Sequence, residues 1–331
     1  MQSSEVVALT TLGSLAAATV VAARRRKAAR TKLLASKDWP AKRDAFTENL
    51  TADDLLLITD FDATLTTGDS EQCHDMVGAT PLLSEAFRAE FAPLLDWTTN
   101  ANIDGVEWWD AAHSIMVKHG MPPKPLIPRL VREARMIPRP GALELLKRLE
   151  LLNVPVLIVS AGMADVIEEW LRQHGALSEN VTVCSNRLNY QADSTPKSVS
   201  PSPPITSFTK EYAGPHASAF FAQHKSRRAI VQLGDSLTDV DPARNVPYDH
   251  LLSIGFLNAR PEAAKHVETF DAVVVGNEGS LQPVADLLDA LPATTLAGKA
   301  IDAIRRSPSG RWLTSAASSP RSSPPRSPLS Q

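Results

Sequence analysis

Short, continuous apolar runs that end at a polar residue constrain the fold of this chain most strongly. Three runs end at a residue able to do chemistry: Leu55–Thr59 before Asp60, Val154–Val159 before Ser160, and Ala229–Leu233 before Gly234-Asp235. Three further runs are predicted strands: Val181–Val183, Leu251–Ile254 and Ala272–Val275. Continuous rather than alternating apolar runs are typical of parallel strands that are buried on both faces of a sheet.

Helical periodicity fills the stretches between the predicted strands. One helix is predicted to begin at Pro140, because a proline in the first turn gives up no hydrogen bond. A second is predicted to begin near Met163, with an apolar face repeating at helical spacing, and to end at Gly175. The alternation of strands and helices predicts an α/β fold with a doubly wound parallel sheet.

The polar residues at the ends of three predicted strands indicate where a ligand binds. In a doubly wound fold, ligands bind at the carboxyl ends of the strands. Asp60, Ser160 and Asp235 all follow predicted strands, so we expect them to lie along one edge of the sheet. This convergence predicts the active site, although each residue by itself indicates little.

The segment Asp60-Phe61-Asp62 carries two carboxylates two residues apart, directly after a strand. Mg²⁺ takes oxygen ligands, so one carboxylate and a nearby carbonyl suit it. Asp60 can attack phosphorus as a carboxylate nucleophile, which leaves Asp62 for proton transfer. The alternative is that the pair only caps a turn.

Two other segments are suited to holding phosphate. Ser160-Ala161-Gly162 places a hydroxyl and backbone N–H groups near a predicted helix N-terminus, and Lys210 supplies a positive charge. The alternatives are a simple N-cap and a surface lysine. Asp235 is suited to complete a Mg²⁺ shell, with Asp239 orienting it from outside, although a capped turn is again the alternative.

These segments carry a family resemblance through their order along the chain: Asp60-Phe61-Asp62-x-Thr64-Leu65, Ser160-Ala161-Gly162, Ser207-Phe208-Thr209-Lys210 and Gly234-Asp235-Ser236-x-x-Asp239. Together they resemble the four signature motifs of haloacid-dehalogenase-type phosphatases. Within that superfamily the chain resembles the pyrimidine 5′-nucleotidase family, of the cytosolic 5′-nucleotidase III type, from about residue 55 to 291.

The resemblance implies a role for each motif residue. Asp60 would be the nucleophile and a Mg²⁺ ligand, and Asp62 the general acid/base that also binds the metal through its carbonyl. Ser160, with Ala161 and Gly162, and Lys210 would hold the phosphoryl group. Asp235 would bind Mg²⁺ with support from Asp239. The substrate would be a nucleoside 5′-monophosphate, with a pyrimidine base preferred, hydrolysed by water.

A hundred residues separate Asp60 from Ser160, which is too many for one crossover, so an inserted helical cap is predicted over residues 68–135. Helical patterns occur at 81–91 and 106–119. In the family the cap selects the base. Trp108, like Trp97 and Trp109, is suited to stack on a base, although burial within the cap is the alternative.

The cap departs from the family pattern at two positions that read the substrate. The family's glutamate falls on Leu95, or on Asp96 if the register shifts by one residue, and a family serine falls on Ala112. Two alternatives therefore stay open: a phosphatase of the same fold acting on another small phosphate ester, and a catalytically silent, tethered nucleotide-binding protein.

The ends of the chain differ in composition from the middle, which predicts a phosphatase domain over residues 51–291. Residues 1–50 are predicted to be a leader whose apolar run, 6–23, is followed by basic residues and is a possible membrane anchor, with the rest of the chain on the cytoplasmic side. Residues 292–331 are rich in Ser, Pro and Arg and are predicted to be disordered, and 194–204 is predicted to be a loop of similar character.

Net charge and cysteine content exclude other classes of protein. A formal charge of −3 argues against nucleic-acid binding. Two cysteines are too few for a disulfide framework, which favours a reducing, cytoplasmic location. The P-loop and dinucleotide-binding glycine motifs do not occur in the sequence.

Overall fold

The structure, a computed structural model, describes residues 31–96, 105–210, 213–244, 246–258 and 263–292. Its strands are β1 Lys32–Ala35, β2 Leu55–Thr59, β3 Val156–Met163, β4 Val181–Tyr190, β5 Pro196–Ser200, β6 Ala229–Gly234, β7 His250–Leu257 and β8 Ala272–Val275. Its α-helices are α1 Trp39–Asn49, α2 Cys73–Ala79, α3 Glu85–Leu95, α4 Gly105–His119, α5 Ile127–Glu133, α6 Ala142–Leu151, α7 Ala164–Gln173, α8 Ala213–His216, α9 Ser218–Gln223, α10 Asp241–Arg244, α11 Ala263–Thr269 and α12 Gln282–Ala290.

The strands form one sheet in the order β1-β8-β7-β6-β2-β3-β4-β5. The pairs from β8 through β4 are parallel, whereas β1 and β5 add antiparallel edges. All five residues of β2 are buried, as the continuous apolar run predicted. Because β2 lies between β6 and β3, the carboxyl ends of three chemistry-bearing strands are neighbours, and the predicted doubly wound α/β fold is confirmed.

The helices begin close to their predicted positions. The helix predicted from Met163 begins at Ala164, and the one predicted from Pro140 begins at Ala142. The two-residue difference arises at Gly141, whose φ of +88° is left-handed and therefore non-helical. The buried face of α6 carries Leu145 and Leu149, in line with its predicted apolar periodicity.

The ordered fold begins earlier than the predicted boundary at residue 51. β1 pairs with β8 along the sheet edge, and α1 buries Trp39 and Phe46. Both elements lie inside the segment that was assigned to the leader. The prediction placed the domain boundary too late because basic residues follow the apolar run 6–23 and continue up to β1. The composition of the leader therefore extends to the first residues of the ordered fold.

The stretch 194–204 is not only a loop, since it contains β5. Residues 196–200 pair antiparallel with the second half of β4, which extends well past the predicted Val183. The pairing gives the backbone its hydrogen bonds although the side chains are mostly small and polar. The Lys124 N–H also donates to the Ser194 carbonyl at 2.9 Å, so this hairpin contacts the inserted helices.

Four of the described helices, α2 to α5, lie between β2 and β3 along the chain. They occupy the segment that was predicted to form the helical cap. Gly78 of α2 lies so close to Phe91 of α3 that a Cβ would come within 2.4 Å of the ring. The outgoing linker, 63–70, pairs with the returning linker, 135–139: the Thr67 N–H donates to the Ile137 carbonyl, and the Arg139 N–H donates to the Leu65 carbonyl, both at 2.9 Å.

The predicted anchor at 6–23, Trp97 and the tail from 293 lie outside the described residues. Within the described part, no helix is long and apolar enough to cross a membrane.

Candidate active site

Asp60 lies at the carboxyl end of β2, where three other charged residues meet it. The Lys210 ammonium donates to Asp60 Oδ1 at 2.6 Å and to Asp239 Oδ1 at 2.5 Å. All three side chains are at most 6% exposed. A lysine 150 positions away in sequence therefore holds the predicted nucleophile in a fixed orientation.

The electrostatics of this cluster follow from burial and from an excess of carboxylates. Burial raises the pKa of Asp60 well above its usual value, Lys210 opposes the rise, and Asp239 and Asp235 add to it. Burial lowers the pKa of Lys210, but Asp239 and Asp60 outweigh it, so the net direction is upward and the ammonium stays charged. The three carboxylates outnumber the Lys210 ammonium, which favours an added positive charge.

Three carboxylates bring their oxygen atoms within 4.8 Å of one another: Asp60, Asp235 and Asp239, all buried. Hard oxygen donors at this spacing suit Mg²⁺. Both oxygens of Asp239 are engaged, because Oδ1 accepts from Lys210 and Oδ2 accepts from the Ser236 N–H at 2.8 Å. The buried carboxylates of this cluster fit a divalent cation, with Asp239 already bonded to Lys210 and Ser236.

Asp62 lies two residues beyond Asp60 in the same turn. Its carboxylate faces Cys73, the first residue of the cap helix α2. The Cys73 N–H lies 3.3 Å from both carboxylate oxygens, and the Cys73 thiol lies 3.6 Å from Oδ1. Burial raises the pKa of Asp62 to about 7, although the hydrogen bonds from Cys73 oppose the rise. A carboxyl group with this pKa exchanges protons near neutral pH. Its carboxylate is not in the oxygen cluster, so its predicted metal contact, through the backbone carbonyl, stays a prediction.

Ser160 was predicted to lie between a strand and a helix. In the structure it lies within β3. The register with β4 shifts between Ser160 and Met163, so Ala161 and Gly162 form a bulge before α7 begins. The Gly162 N–H donates to Ser160 Oγ at 3.0 Å. A Cβ on Gly162 would come within 2.8 Å of the Cys73 sulfur, so only glycine fits without displacement.

The bulge is fixed from two sides through the Ala161 carbonyl. Asn186 Nδ2 of β4 donates to it at 2.9 Å, and Trp109 Nε1 of the cap helix α4 donates to it at 2.8 Å. The Asn186 side chain also binds the backbone of Ile205, at 2.7 and 2.9 Å, before the loop that carries Lys210. The cap and β4 thus hold the Ala161–Gly162 bulge in place, and Asn186 links it to the loop that carries Lys210.

A cavity of about 440 Å³ joins these residues to the cap. Its floor is the charged cluster and the β3 bulge, and its other end is lined by Gln72, His74, Asp75, Trp108 and Trp109. Trp108 lines the cavity, but it is only 4% exposed and its Nε1 donates to the Leu94 carbonyl at 2.9 Å, so burial within the cap also accounts for it, and stacking on a base stays a prediction. Asp96 does not line the cavity and lies exposed at the end of α3. Leu95 and Ala112 do not line the cavity either.

A histidine pair closes the cap end of the cavity. His74 Nε2 lies 3.3 Å from His113 Nε2, and the two rings stack. Burial lowers the pKa of His113 to about 4, and burial together with His113 lowers that of His74. Both rings are therefore neutral at pH 7, which lets one nitrogen donate and the other accept.

Sequence reasoning missed several residues that hold this site together: Cys73, Arg139, Asn186 and Asn258. Asn186 and Asn258 lie three and four residues beyond the predicted strand ends at Val183 and Ile254, which was a weak signal, whereas Arg139 had none. Their partners lie far away in sequence, and only the fold shows which carbonyls and amides they reach.

The fold resembles that of a solved hydrolase. A hydrolase of the HAD family from Salmonella enterica superposes with a TM-score of 0.52 at 14% identity, covering 73% of each chain. This level of similarity shows the fold alone. The chain therefore has the haloacid-dehalogenase-like fold, with a helical insertion between β2 and β3.

The chain belongs to the pyrimidine 5′-nucleotidase (UMPH-1) family, whose family model matches residues 72–292. It is 32% identical over 243 residues to the 7-methylguanosine phosphate-specific 5′-nucleotidase of Gallus gallus, covering 68% of this chain and 83% of the chicken protein. The crystal structure of cytosolic 5′-nucleotidase IIIB bound to cytidine superposes with a TM-score of 0.69 at 26% identity, covering 78% of this chain and 93% of that one. The chain is a 5′-nucleotidase, which confirms the family and the enzyme class expected from its motifs.

Proposed function

We propose that the chain hydrolyses nucleoside 5′-monophosphates with Mg²⁺ through a phospho-aspartate on Asp60. The observation that carries this proposal is the buried contact of Lys210 with both Asp60 and Asp239, beside Asp235. One ammonium and three carboxylates leave a site that favours a divalent cation and a phosphoryl group together. Phosphoryl transfer needs little besides such positioning and charge neutralisation.

In the first step a carboxylate oxygen of Asp60 forms a bond to phosphorus, and the bond from phosphorus to the 5′ oxygen breaks. Asp62 gives its proton to the departing 5′ oxygen, so the nucleoside leaves as an alcohol. In the second step Asp62 takes a proton from water, whose oxygen attacks phosphorus and frees Asp60 and inorganic phosphate. A pKa of about 7 suits Asp62 to both roles.

The phosphoryl oxygens are held by this chain's own donors. We assign this role to the Lys210 ammonium, the Ser160 hydroxyl and the backbone of the Ala161–Gly162 bulge. Asp60, Asp235 and the Asp62 carbonyl would hold Mg²⁺, which would supply further charge neutralisation. Asp239 keeps Lys210 in place because it binds the same ammonium.

The base is the less constrained part of the substrate, and we propose a pyrimidine nucleoside monophosphate first. A second candidate, 7-methylguanosine monophosphate, is supported by the cavity lining and by the chicken relative, which is specific for 7-methylguanosine phosphate. Its base carries a positive charge, which the faces of Trp108 and Trp109 and the carboxylate of Asp75 favour. A neutral pyrimidine gains nothing from Asp75 as a charge.

The test is phosphate release with Mg²⁺ from UMP, CMP, 7-methylguanosine monophosphate, AMP and a non-nucleotide ester. Turnover of UMP and CMP supports the first candidate. Preference for the methylated purine, with a roughly 5- to 10-fold loss of that preference in Asp75→Asn, supports the second. Turnover of only the non-nucleotide ester contradicts both, and no turnover of any ester indicates a silent nucleotide-binding protein.

We further propose that the catalytic domain lies in the cytosol, as the name of cytosolic 5′-nucleotidase IIIB suggests for a similar protein. Whether residues 6–23 tether it to a membrane is testable by cell fractionation with and without residues 1–30. Loss of membrane association only in the shortened chain would support the anchor.

A further inference from the structure

Arg139 lies at the end of the returning linker, and its guanidinium is buried beneath the catalytic turn. Its side chain is 1% exposed. It donates to four oxygen atoms at distances between 2.5 and 2.9 Å: Ala63 O, Thr64 O, Asn258 Oδ1 and Gly279 O. The Phe256 ring lies 4.4 Å from the guanidinium carbon. One side chain thus joins the turn after Asp60 to the end of β7 and to the start of α12.

Arg139 is a buried cation, which is unusual for a residue whose role is only packing. Within the described part of the chain, all its hydrogen bonds go to neutral oxygens. A buried cation without a bonded carboxylate costs free energy unless a negative charge lies nearby. The carboxylate whose charge acts on it is Asp235, a proposed metal ligand.

Asn258 connects the guanidinium to that carboxylate. Arginine has only donors, so the Asn258 oxygen must face Arg139 and its NH₂ must face the other way. That NH₂ group lies 3.0 Å from the Ala63 carbonyl and 3.4 Å from Asp235 Oδ2. The amide is also confined by Gly68, where an added Cβ would come within 2.5 Å of it. The orientation of Asn258 is therefore set by Arg139 and passed to Asp235.

The other contacts of Arg139 act on the turn that carries Asp60 and Asp62. Ala63 has a φ of +59°, a left-handed conformation that costs a non-glycine residue on the order of 1 kcal/mol or more. Arg139 and Asn258 both donate to its carbonyl, and the Ala63 N–H donates to Thr66 Oγ1 at 2.9 Å. These bonds hold the turn in the conformation that directs both carboxylates into the cavity.

We propose that Arg139, acting through Asn258 and the Ala63 carbonyl, is a positioning residue for the metal centre: it holds Asp235 and the Asp60–Asp62 turn in the arrangement that binds the divalent cation. This inference rests on the proposed function, because it presupposes that Asp60 and Asp235 bind a metal. Outer hydrogen-bond partners of metal ligands typically contribute 10- to 100-fold to metal affinity.

The chain offers a matched control for a merely structural arginine. Arg227 also donates to three backbone carbonyls, those of Ala52, Leu55 and Asn153, at 2.7 to 3.0 Å. It lies at the amino end of β2, on the opposite edge of the sheet from Asp60. Replacing it removes a comparable clamp without touching the metal centre.

The experiment measures Mn²⁺ binding by electron paramagnetic resonance, together with thermal unfolding, for the full chain and for Arg139→Met, Arg139→Lys, Asn258→Ala and Arg227→Met. We expect the dissociation constant for Mn²⁺ to rise about 10-fold or more in Arg139→Met and Asn258→Ala. Arg139→Lys keeps the charge with fewer donors and is expected to fall between Arg139→Met and the unchanged chain. Arg227→Met is expected to lose stability and to keep its Mn²⁺ affinity.

Two results separate failure of the inference from failure of the proposed function. If the unchanged chain does not bind Mn²⁺, the metal centre itself is wrong, and the inference fails with it. If the unchanged chain binds Mn²⁺ and Arg139→Met binds it equally well, only the inference is overturned. Should Arg139→Met not fold, Asn258→Ala decides in the same way, because it leaves the guanidinium and its carbonyl contacts in place.

Discussion

The two ends of the cavity differ in how firmly the protein holds its side chains. At the phosphate end, Asp60, Lys210 and Asp239 are buried and joined by charge-assisted hydrogen bonds. At the base end, which is the end lined by the cap where we propose that the base binds, His74, Trp108 and Trp109 are buried, but Gln72 is exposed and Asp75 is half-buried, and the side chains come from the cap and not from the sheet. The phosphate end is attached to a rigid sheet, whereas the base end is attached to an inserted unit.

This difference separates chemistry from selection. Charges fixed on strand ends need no rearrangement when a phosphoryl group arrives, which is the condition for electrostatic catalysis. Aromatic and half-buried polar groups on helices accept bases of several shapes. We therefore expect substitutions there to change substrate affinity more than the rate of the chemical step. Trp109 is the exception, since its N–H reaches across to the Ala161 carbonyl and ties the cap to the phosphate end.

The largest expected effect comes from removing the proposed nucleophile, Asp60. Asp60→Asn keeps the size of the side chain but removes the attacking carboxylate, so we expect kcat to fall roughly 10⁴-fold or more. Phosphate release under single-turnover conditions measures it, with Asp53→Asn on the exposed surface as the control. A variant that keeps a tenth of the activity would show that Asp60 is not the nucleophile.

The next effect breaks the phosphate end electrostatically. Lys210→Met leaves Asp60 and Asp239 buried without their shared cation, which typically costs about 3–5 kcal/mol. We expect the free energy of unfolding, measured by urea titration in EDTA, to fall by that amount and to recover partly with Mg²⁺. Lys118→Met removes an exposed ammonium that pairs with Glu90 on the surface, and it is expected to change neither stability nor activity measurably.

A smaller effect is expected at the base end. Trp108→Leu removes an aromatic face from the cavity, and stacking of a base on an aromatic side chain is worth about 1–3 kcal/mol. We therefore expect KM to rise on the order of 10-fold while kcat changes little. Trp39→Leu, on the buried face of α1, controls for loss of a buried tryptophan. Equal losses of kcat and kcat/KM in Trp108→Leu would contradict the separation of the two ends.

The last expected effect is on stability and not on turnover, and it is a pH dependence of the cap. The pKa of His113 is about 4 in the folded protein, against 6.5 for an ordinary histidine, so the unfolded chain binds the proton first as the pH falls. Stability is therefore fully present above pH 6.5 and decreases toward pH 4. Between pH 7 and pH 5 we expect the unchanged chain to lose roughly 2 kcal/mol more than His113→Gln does, measured by urea titration at each pH. Equal losses in the two proteins would mean that His113 is not buried in its neutral form.

The regular parts of the fold were predictable because their signals are local. The β2, β3 and β6 strands are continuous apolar runs, and burial on both faces of a sheet requires such runs. The β5 strand was missed because its hydrogen bonds, and not its composition, make it a strand. The β1–α1 segment was missed because a basic stretch precedes it and its own apolar pattern is short.

The sequence by itself determined which candidate residues lie together, since Asp60, Ser160 and Asp235 lie near the carboxyl ends of strands that are neighbours in the sheet. Only the tertiary structure decided how those groups are held. That Lys210 reaches both Asp60 and Asp239, that Cys73 faces Asp62, and that Arg139 reaches Asp235 through Asn258 depend on contacts between distant segments. The physical reason is sequence separation. Burial patterns repeat over neighbouring residues and can be recognised in the sequence, whereas many hydrogen bonds in the folded core join residues that are far apart in the sequence.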